Sequence, residues 1–236
     1  MILIALTGAE VESYRALGVQ TPCRVVPNGI EAAAYRTRPR PELEACWGLA
    51  ADAQVILFLG RLHPVKGADK LLRAFLAIHT QFPQAILVMA GPDEWGIESQ
   101  FRRAIHQAGL SKQVIFPGMV SGGDKLDWLA RADLFCLPSD AEGFSMAVLE
   151  ALASATPVLL SPGCHFPEVE AVGAGRIVTP DLETLAGALA DLLVEPGRLR
   201  EMGCRAREFV AREYSWDHVA DRLLDVYREG LERSKH

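Results

Sequence analysis

The chain has 236 residues, half of them hydrophobic, and a net charge of −6. That is apolar material for one large domain, or a domain with an appendage, and the acidic balance argues against a general nucleic-acid binder, whose affinity comes from neutralising phosphates. Five scattered cysteines without a C-x-x-C pair fit a reduced, cytoplasmic setting, and no run approaches the roughly 20 apolar residues of a membrane span.

From the N-terminus, the apolar start MILIAL is too short for the core of a signal peptide and has no basic residues before it. Ile2–Leu6 reads as a strand, and Thr7-x-x-Glu10 as a capping box opening a short helix to Leu17. Arg24-Val-Val runs into a Pro27-Asn28-Gly29 turn. Residues 1–26 thus look like the remnant strand and helix of a preceding domain, and residues 27–236 like a domain of their own. Arg36, Arg38 and Arg40, interleaved with prolines, read as an exposed linker. Contact with an acidic surface or lipid headgroup is the functional alternative, so peripheral contact with the inner face of a membrane stays open.

Beyond the linker, apolar runs alternate with helical patterns, the mark of βαβ units and a parallel sheet. Strands are expected at Gln54–Leu59, Ala85–Met89, Gln113–Phe116, Ala132–Leu137, Thr156–Leu160 and Arg176–Val178. Helices are expected at Ala68–Gln81, Glu98–Ala108, Lys125–Arg131, Ser145–Ser154, Leu182–Leu193, Pro196–Arg212 and Trp216–Arg233, with Ser215 as N-cap of the last. Short, almost wholly apolar strands imply helices on both faces, a doubly wound α/β domain. In the last helix Trp216, Val219, Leu223, Val226 and Tyr227 form one apolar stripe, part of which is expected to cover the sheet and part to face water.

Two segments carry chemistry. EGFSMAVLE, Glu142 to Glu150, follows the apolar run ADLFCLPS and opens a helix. A Gly-containing turn there aims backbone N–H groups and the positive end of the helix dipole at an anion. Glu142 and Glu150, about 12 Å apart along the axis, flank that point. Carboxylates do not bind an anion, so hydroxyls on either side of it are their natural partners, the layout of a nucleotide sugar; two ordinary solvated glutamates are the plain alternative. The second segment, Gly60-Arg-Leu-His-Pro-Val-Lys-Gly67, leaves the strand Gln54–Leu59 at the carboxyl end, where open α/β sheets bind ligands. It is no P-loop, because Lys66 is followed by Gly67. Arg61 and Lys66 form the forked and point-charge pair that suits diphosphate oxygens. Cys164-His165 has little of a nucleophilic pair about it, since such pairs assemble in space and not from loop neighbours.

The order PNGI (Pro27 to Ile30), GRL…KG (Gly60 to Gly67), VIFPG (Val114 to Gly118), ADLFCLPS…EGF…LEALA and PEV (Pro167 to Val169) resembles glycosyltransferase family 4 (group 1), retaining enzymes of the GT-B fold. The resemblance covers nearly the whole chain and implies a Rossmann-like, donor-binding C-terminal half with a crossover helix at its end. It implies that Arg61, Lys66 and Glu142 serve catalysis, with Arg61 and Lys66 on the donor diphosphate. Gly60 and the backbone of Gly143, Phe144 and Ser145, with Glu142, would line the sugar and phosphate site. Glu150 would bind the ribose, and the backbone of Gly118, Met119 and Val120 would edge the base pocket. No metal and no cofactor beyond the nucleoside-diphosphate sugar is implied; the acceptor is a glycan, lipid or other hydroxyl, as in polysaccharide biosynthesis. Three positions depart from the pattern: Ser145 for Gly after EGF, Ala155 for Gly with an expected effect on packing only, and Cys164-His165 for two glycines. The acceptor-binding N-terminal domain is expected to be missing, so a nucleotide-sugar-binding module without transferase activity stands as the alternative.

Overall fold

The computed structural model describes residues 1–35, 39 and 41–233; the arginines at 36, 38 and 40 lie outside that set. The main body is a six-stranded parallel sheet built from β3 (Gln54–Leu59), β4 (Ala85–Ala90), β5 (Val114–Gly118), β6 (Leu134–Leu137), β7 (Val158–Leu160) and β8 (Gly175–Ile177), in the order β5-β4-β3-β6-β7-β8. The middle strands are apolar because both faces are covered: Val55 to Phe58 and Leu134 to Cys136 are fully buried. Each side chain of this kind stabilises the fold by about 1.5–3 kcal/mol.

Helices α3 (Ala68–Ile78), α4 (Glu98–Gln107), α5 (Gly122–Arg131), α6 (Met146–Ala153), α8 (Leu182–Leu193) and α9 (Pro196–Glu213) supply that cover. In α3 the buried positions Leu71, Leu72, Phe75 and Ile78 recur at helical spacing. Asp181 caps α8 by accepting from the Thr184 N–H, and hydrogen bonds, first that from the Thr179 hydroxyl, hold its carboxyl down at about 2. Two short helices were not expected from the sequence, α2 (Pro41–Trp47) and α7 (Glu168–Ala171).

The N-terminal residues form a separate parallel pair, β1 (Leu3–Ala5) with β2 (Cys23–Val25), joined by α1 (Gly8–Ala16). Thr7 caps α1 as expected, but Glu10 reaches back one residue further than a capping box, accepting from the Leu6 N–H at 2.6 Å. The final helix, α10 (Trp216–Arg233), is capped by the Ser215 hydroxyl. Its stripe corrects the expectation. Val219 and Val226 pack with Val26, Ile2 and Leu223, so the stripe covers the small N-terminal sheet and not the large one. A forked ion pair from Arg24 to Glu229, at 2.8 and 2.5 Å, fastens the same contact. Trp216 and Tyr227 face solvent.

Ala155 corrects a second expectation. Its φ of 60° is left-handed, a region that costs an L-residue roughly 1–2 kcal/mol, so alanine in place of glycine there strains the backbone and is not a matter of packing alone.

Candidate functional site

Strand order decides where the crevice lies. From β3 the chain moves outward one way to β4 and β5, and the return to β6 on the other side of β3 makes β3 and β6 the switch point of the sheet. Loops leaving the carboxyl ends of two such strands diverge and leave a ligand crevice between them. Here those loops are Gly60–Gly67 and Pro138–Ser145, the two segments that carry the chemistry.

Backbone contacts fix the two loops to each other. The Asp140 N–H donates to the Val65 carbonyl at 2.7 Å, and the Ser139 hydroxyl to the same carbonyl at 2.9 Å. Their approach requires glycine at 67, which has φ 71°; a β-carbon there would lie 2.2 Å from the Pro138 carbonyl oxygen. Asp140 is a turn residue whose carboxylate pairs with Lys70.

Lys66 and Glu142 meet in this crevice, with Nζ donating to Oε1 at 2.6 Å. The glutamate side chain is 7% exposed and the lysine 22%, so the pair is partly desolvated but open to a ligand on the lysine side. Beside it begins α6. Ser145 stands at its N-cap in extended conformation without a side-chain hydrogen bond to the first turn, which leaves the positive end of the helix uncapped. In front of Gly143 the space is open, since a β-carbon built there meets nothing within 4 Å. Phe144 turns its ring into a cluster with Phe166 and Tyr214, so its backbone is what faces the crevice. Burial, more than any neighbour, pushes the Tyr214 phenol up.

Glu150, 9% exposed, sits in α6 below this point. Its Oε1 accepts from Lys125 Nζ at 2.7 Å and from the Tyr35 hydroxyl at 3.0 Å. Further along the crevice, Gly118 ends β5 at φ 73°. Met119 and Val120, with Trp47 and Trp128, line a pocket of about 270 Å³. On the opposite side, Glu142, Gly143 and His165 face Thr7, Glu12 and Ser13 across a cleft of about 530 Å³.

The structure therefore brings together Lys66, Glu142, Gly143 and Ser145, and it sets Glu150 and the segment Gly118–Val120 to one side of them. Gly60 donates its N–H to the Ala90 carbonyl at the end of β4. Arg61 lies apart from the pair: it reaches Glu94 at 2.9 Å with more than half its side chain exposed. His63 accepts from the Val65 N–H and meets Trp95 edge-on. Two residues of the site were missed, Lys125 and Tyr35. They lie 25 and 115 positions from Glu150, and nothing in their own segments marks them. Cys164 is buried with Sγ donating to the Leu137 carbonyl, and burial pushes its thiol up, as expected of a structural cysteine. Among the described residues no three His, Cys, Asp or Glu side chains are grouped to hold a metal, and no helix is long and apolar enough to cross a membrane.

The fold is a Rossmann-like domain with a crevice at the switch point of a doubly wound sheet, the C-terminal domain type of the GT-B fold. The chain belongs to the glycosyl transferases group 1 family, whose model matches residues 39–209. It is 34% identical over 241 residues to the D-inositol 3-phosphate glycosyltransferase of Saccharomonospora viridis, an alignment covering 97% of this chain and 56% of that protein. The chain thus spans a little over half the length of this curated relative. Among solved structures, HepE of Anabaena in complex with UDP superposes with a TM-score of 0.85 at 20% identity, over 97% of this chain and 64% of that one. The C-terminal domain of the group 1 glycosyl transferase LpcC of Francisella tularensis gives 0.69 at 22% identity, over 80% of this chain and all of that one.

Proposed function

We propose that this chain is the donor-binding half of a retaining glycosyltransferase, which takes a nucleoside-diphosphate sugar and passes the sugar to a hydroxyl acceptor. One observation carries the reading: Lys66 and Glu142 meet at 2.6 Å in front of the uncapped start of α6, at the switch point of the sheet. A diphosphate entering there takes the lysine as its cation and the first-turn N–H groups as donors. Glu142, released from Lys66, turns its carboxylate to the sugar hydroxyls, and Glu150 serves the ribose at the other end. With Arg61 swinging in from Glu94, the leaving diphosphate is stabilised by fixed positive groups, and no divalent metal is needed. The pocket beside Met119 and Val120 takes the base, and the HepE complex makes UDP the first nucleotide to try.

In the same reading residues 1–26 are the edge of an acceptor-binding domain, and the packing of α10 against Ile2 and Val26 supports it. The 530 Å³ cleft between that edge and Glu142 would be where the acceptor approaches. Relatives named D-inositol 3-phosphate glycosyltransferase put a phosphorylated polyol among the first acceptors to test. The setting in this reading is the cytoplasm, with the arginine-rich linker as the candidate for contact with a membrane's inner face. Calorimetric titration with UDP, GDP and ADP in the presence of EDTA tests the donor assignment. Saturable binding of one of them is expected, and binding that appears only with Mg²⁺ would overturn it. Donor-dependent release of nucleoside diphosphate separates a transferase from a binding module.

A further inference from the structure

Three separate segments converge on Glu150. The carboxylate comes from α6, one donor from α5 and the other from the stretch that joins the small N-terminal sheet to the main body. Both donors use the same oxygen: Lys125 Nζ and the Tyr35 hydroxyl each bond Oε1, and no donor among the described residues reaches Oε2. A carboxylate offers about four acceptor sites over its two oxygens, so Oε1 is committed and Oε2 keeps its full capacity.

Tyr35 is itself held. Its carbonyl accepts from Arg207 Nη1 at 3.0 Å, and the same nitrogen bonds the Ala153 carbonyl in the last turn of α6. The tyrosine backbone is thereby tied to the helix that carries Glu150, so its hydroxyl meets a carboxylate whose distance from it cannot drift far. Burial, followed by the Glu150 charge, pushes the Tyr35 phenol up, so the hydroxyl remains a donor across the range in which the carboxylate is ionised.

We propose that Tyr35, with Lys125, is a positioning residue for donor recognition: the two hold Glu150 by Oε1 and present Oε2 to the ribose hydroxyls of the nucleotide. This rests on Glu150 being the ribose-binding carboxylate. The gain is preorganisation. A glutamate that must be ordered on binding loses rotamer freedom at that moment, whereas one already fixed does not, a difference of about threefold to tenfold in affinity.

The test is a calorimetric titration with the tightest binder of UDP, GDP and ADP and with its 2′,3′-dideoxy analogue. The unmodified chain should prefer the ribonucleotide. Tyr35→Phe keeps the ring and removes only the hydroxyl; it should weaken the ribonucleotide by about threefold to tenfold and leave the dideoxy analogue unchanged, narrowing the preference. Lys125→Met should do the same and Lys125→Arg should restore it, with thermal midpoints showing that each variant is folded. If Tyr35→Phe and Lys125→Met weaken both nucleotides equally, or neither, Tyr35 and Lys125 do not position Glu150. Glu150→Ala separates that failure from a failure of the site assignment: it should abolish the preference. A preference that survives Glu150→Ala removes Glu150 from the ribose site and this proposal with it.

Discussion

Replacing Lys66 by methionine probes the crevice most sharply. The substitution keeps the apolar stem and deletes the ammonium that donates to Glu142 at 2.6 Å. A charge-assisted hydrogen bond is worth about 1.5–3 kcal/mol, so losing the one made to a diphosphate weakens nucleotide binding about tenfold to a hundredfold. A second effect works in the same direction. Without Lys66 the Glu142 carboxylate, 7% exposed, is left in the crevice without its cation, and acceptor-only oxygens there oppose the incoming anion. Adding Glu142→Gln to Lys66→Met removes that repulsion and should recover part of the loss, whereas Glu142→Gln alone should not weaken the free nucleotide. A double-mutant cycle read by calorimetry isolates the coupling, expected at about 0.5–3 kcal/mol. Unchanged affinity in Lys66→Met would refute the reasoning, as would strict additivity of the two substitutions.

Glu150→Ala should weaken nucleoside diphosphate and nucleotide sugar alike, while Glu142→Ala should spare the free diphosphate and weaken only the sugar-bearing ligand; equal losses for both ligands in Glu142→Ala would take it off the sugar. Gly67→Ala places a β-carbon 2.2 Å from the Pro138 carbonyl at φ 71° and should lower stability by about 2–4 kcal/mol, whereas Ala155→Gly, at φ 60°, should raise it by about 0.5–1 kcal/mol, both read from urea midpoints. With Trp216, Leu224 and Tyr227 between 47% and 56% exposed on α10, the chain should self-associate in sedimentation, and Leu224→Glu with Tyr227→Glu should make it monomeric; a wild-type chain that sediments as a clean monomer would speak against these side chains forming a contact surface.

Legibility followed the kind of signal each element carries. β3 and α8 occupy the residues expected of them, Gln54–Leu59 and Leu182–Leu193, because an unbroken apolar run and an Asp-capped leucine periodicity leave little ambiguity. The strand before Pro138 begins at Leu134 and not at Ala132: the Asp133 N–H still donates to the Val55 carbonyl, but the Val55 N–H is taken by the Asp133 carboxylate and not by a backbone carbonyl. α2 was hidden by its setting: a Pro/Arg-rich stretch precedes it and only Leu43 among its described side chains is buried. The stripe on α10 was legible as a stripe, but periodicity says which face is apolar and not what covers it.

The site divides in the same way. Lys66, Gly143 and Glu142 lie in segments whose turn chemistry points at an anion, and the fold brings them together. Lys125 and Tyr35 depend on a tertiary contact between α5, α6 and the residues before α2, which local sequence does not encode. Arg61 and Lys66 lie before and after the turn made by Pro64; Lys66 reaches Glu142 in the crevice, and Glu94 holds the Arg61 guanidinium.

A crystal structure of this chain with the nucleoside diphosphate that binds it most tightly tests the central claim directly. The account predicts the β-phosphate within hydrogen-bond distance of Lys66 Nζ and of the backbone N–H groups at Gly143–Ser145, the ribose on Glu150, and the base beside Met119 and Val120. A nucleotide seated elsewhere, or one with its phosphates away from the start of α6, would contradict it.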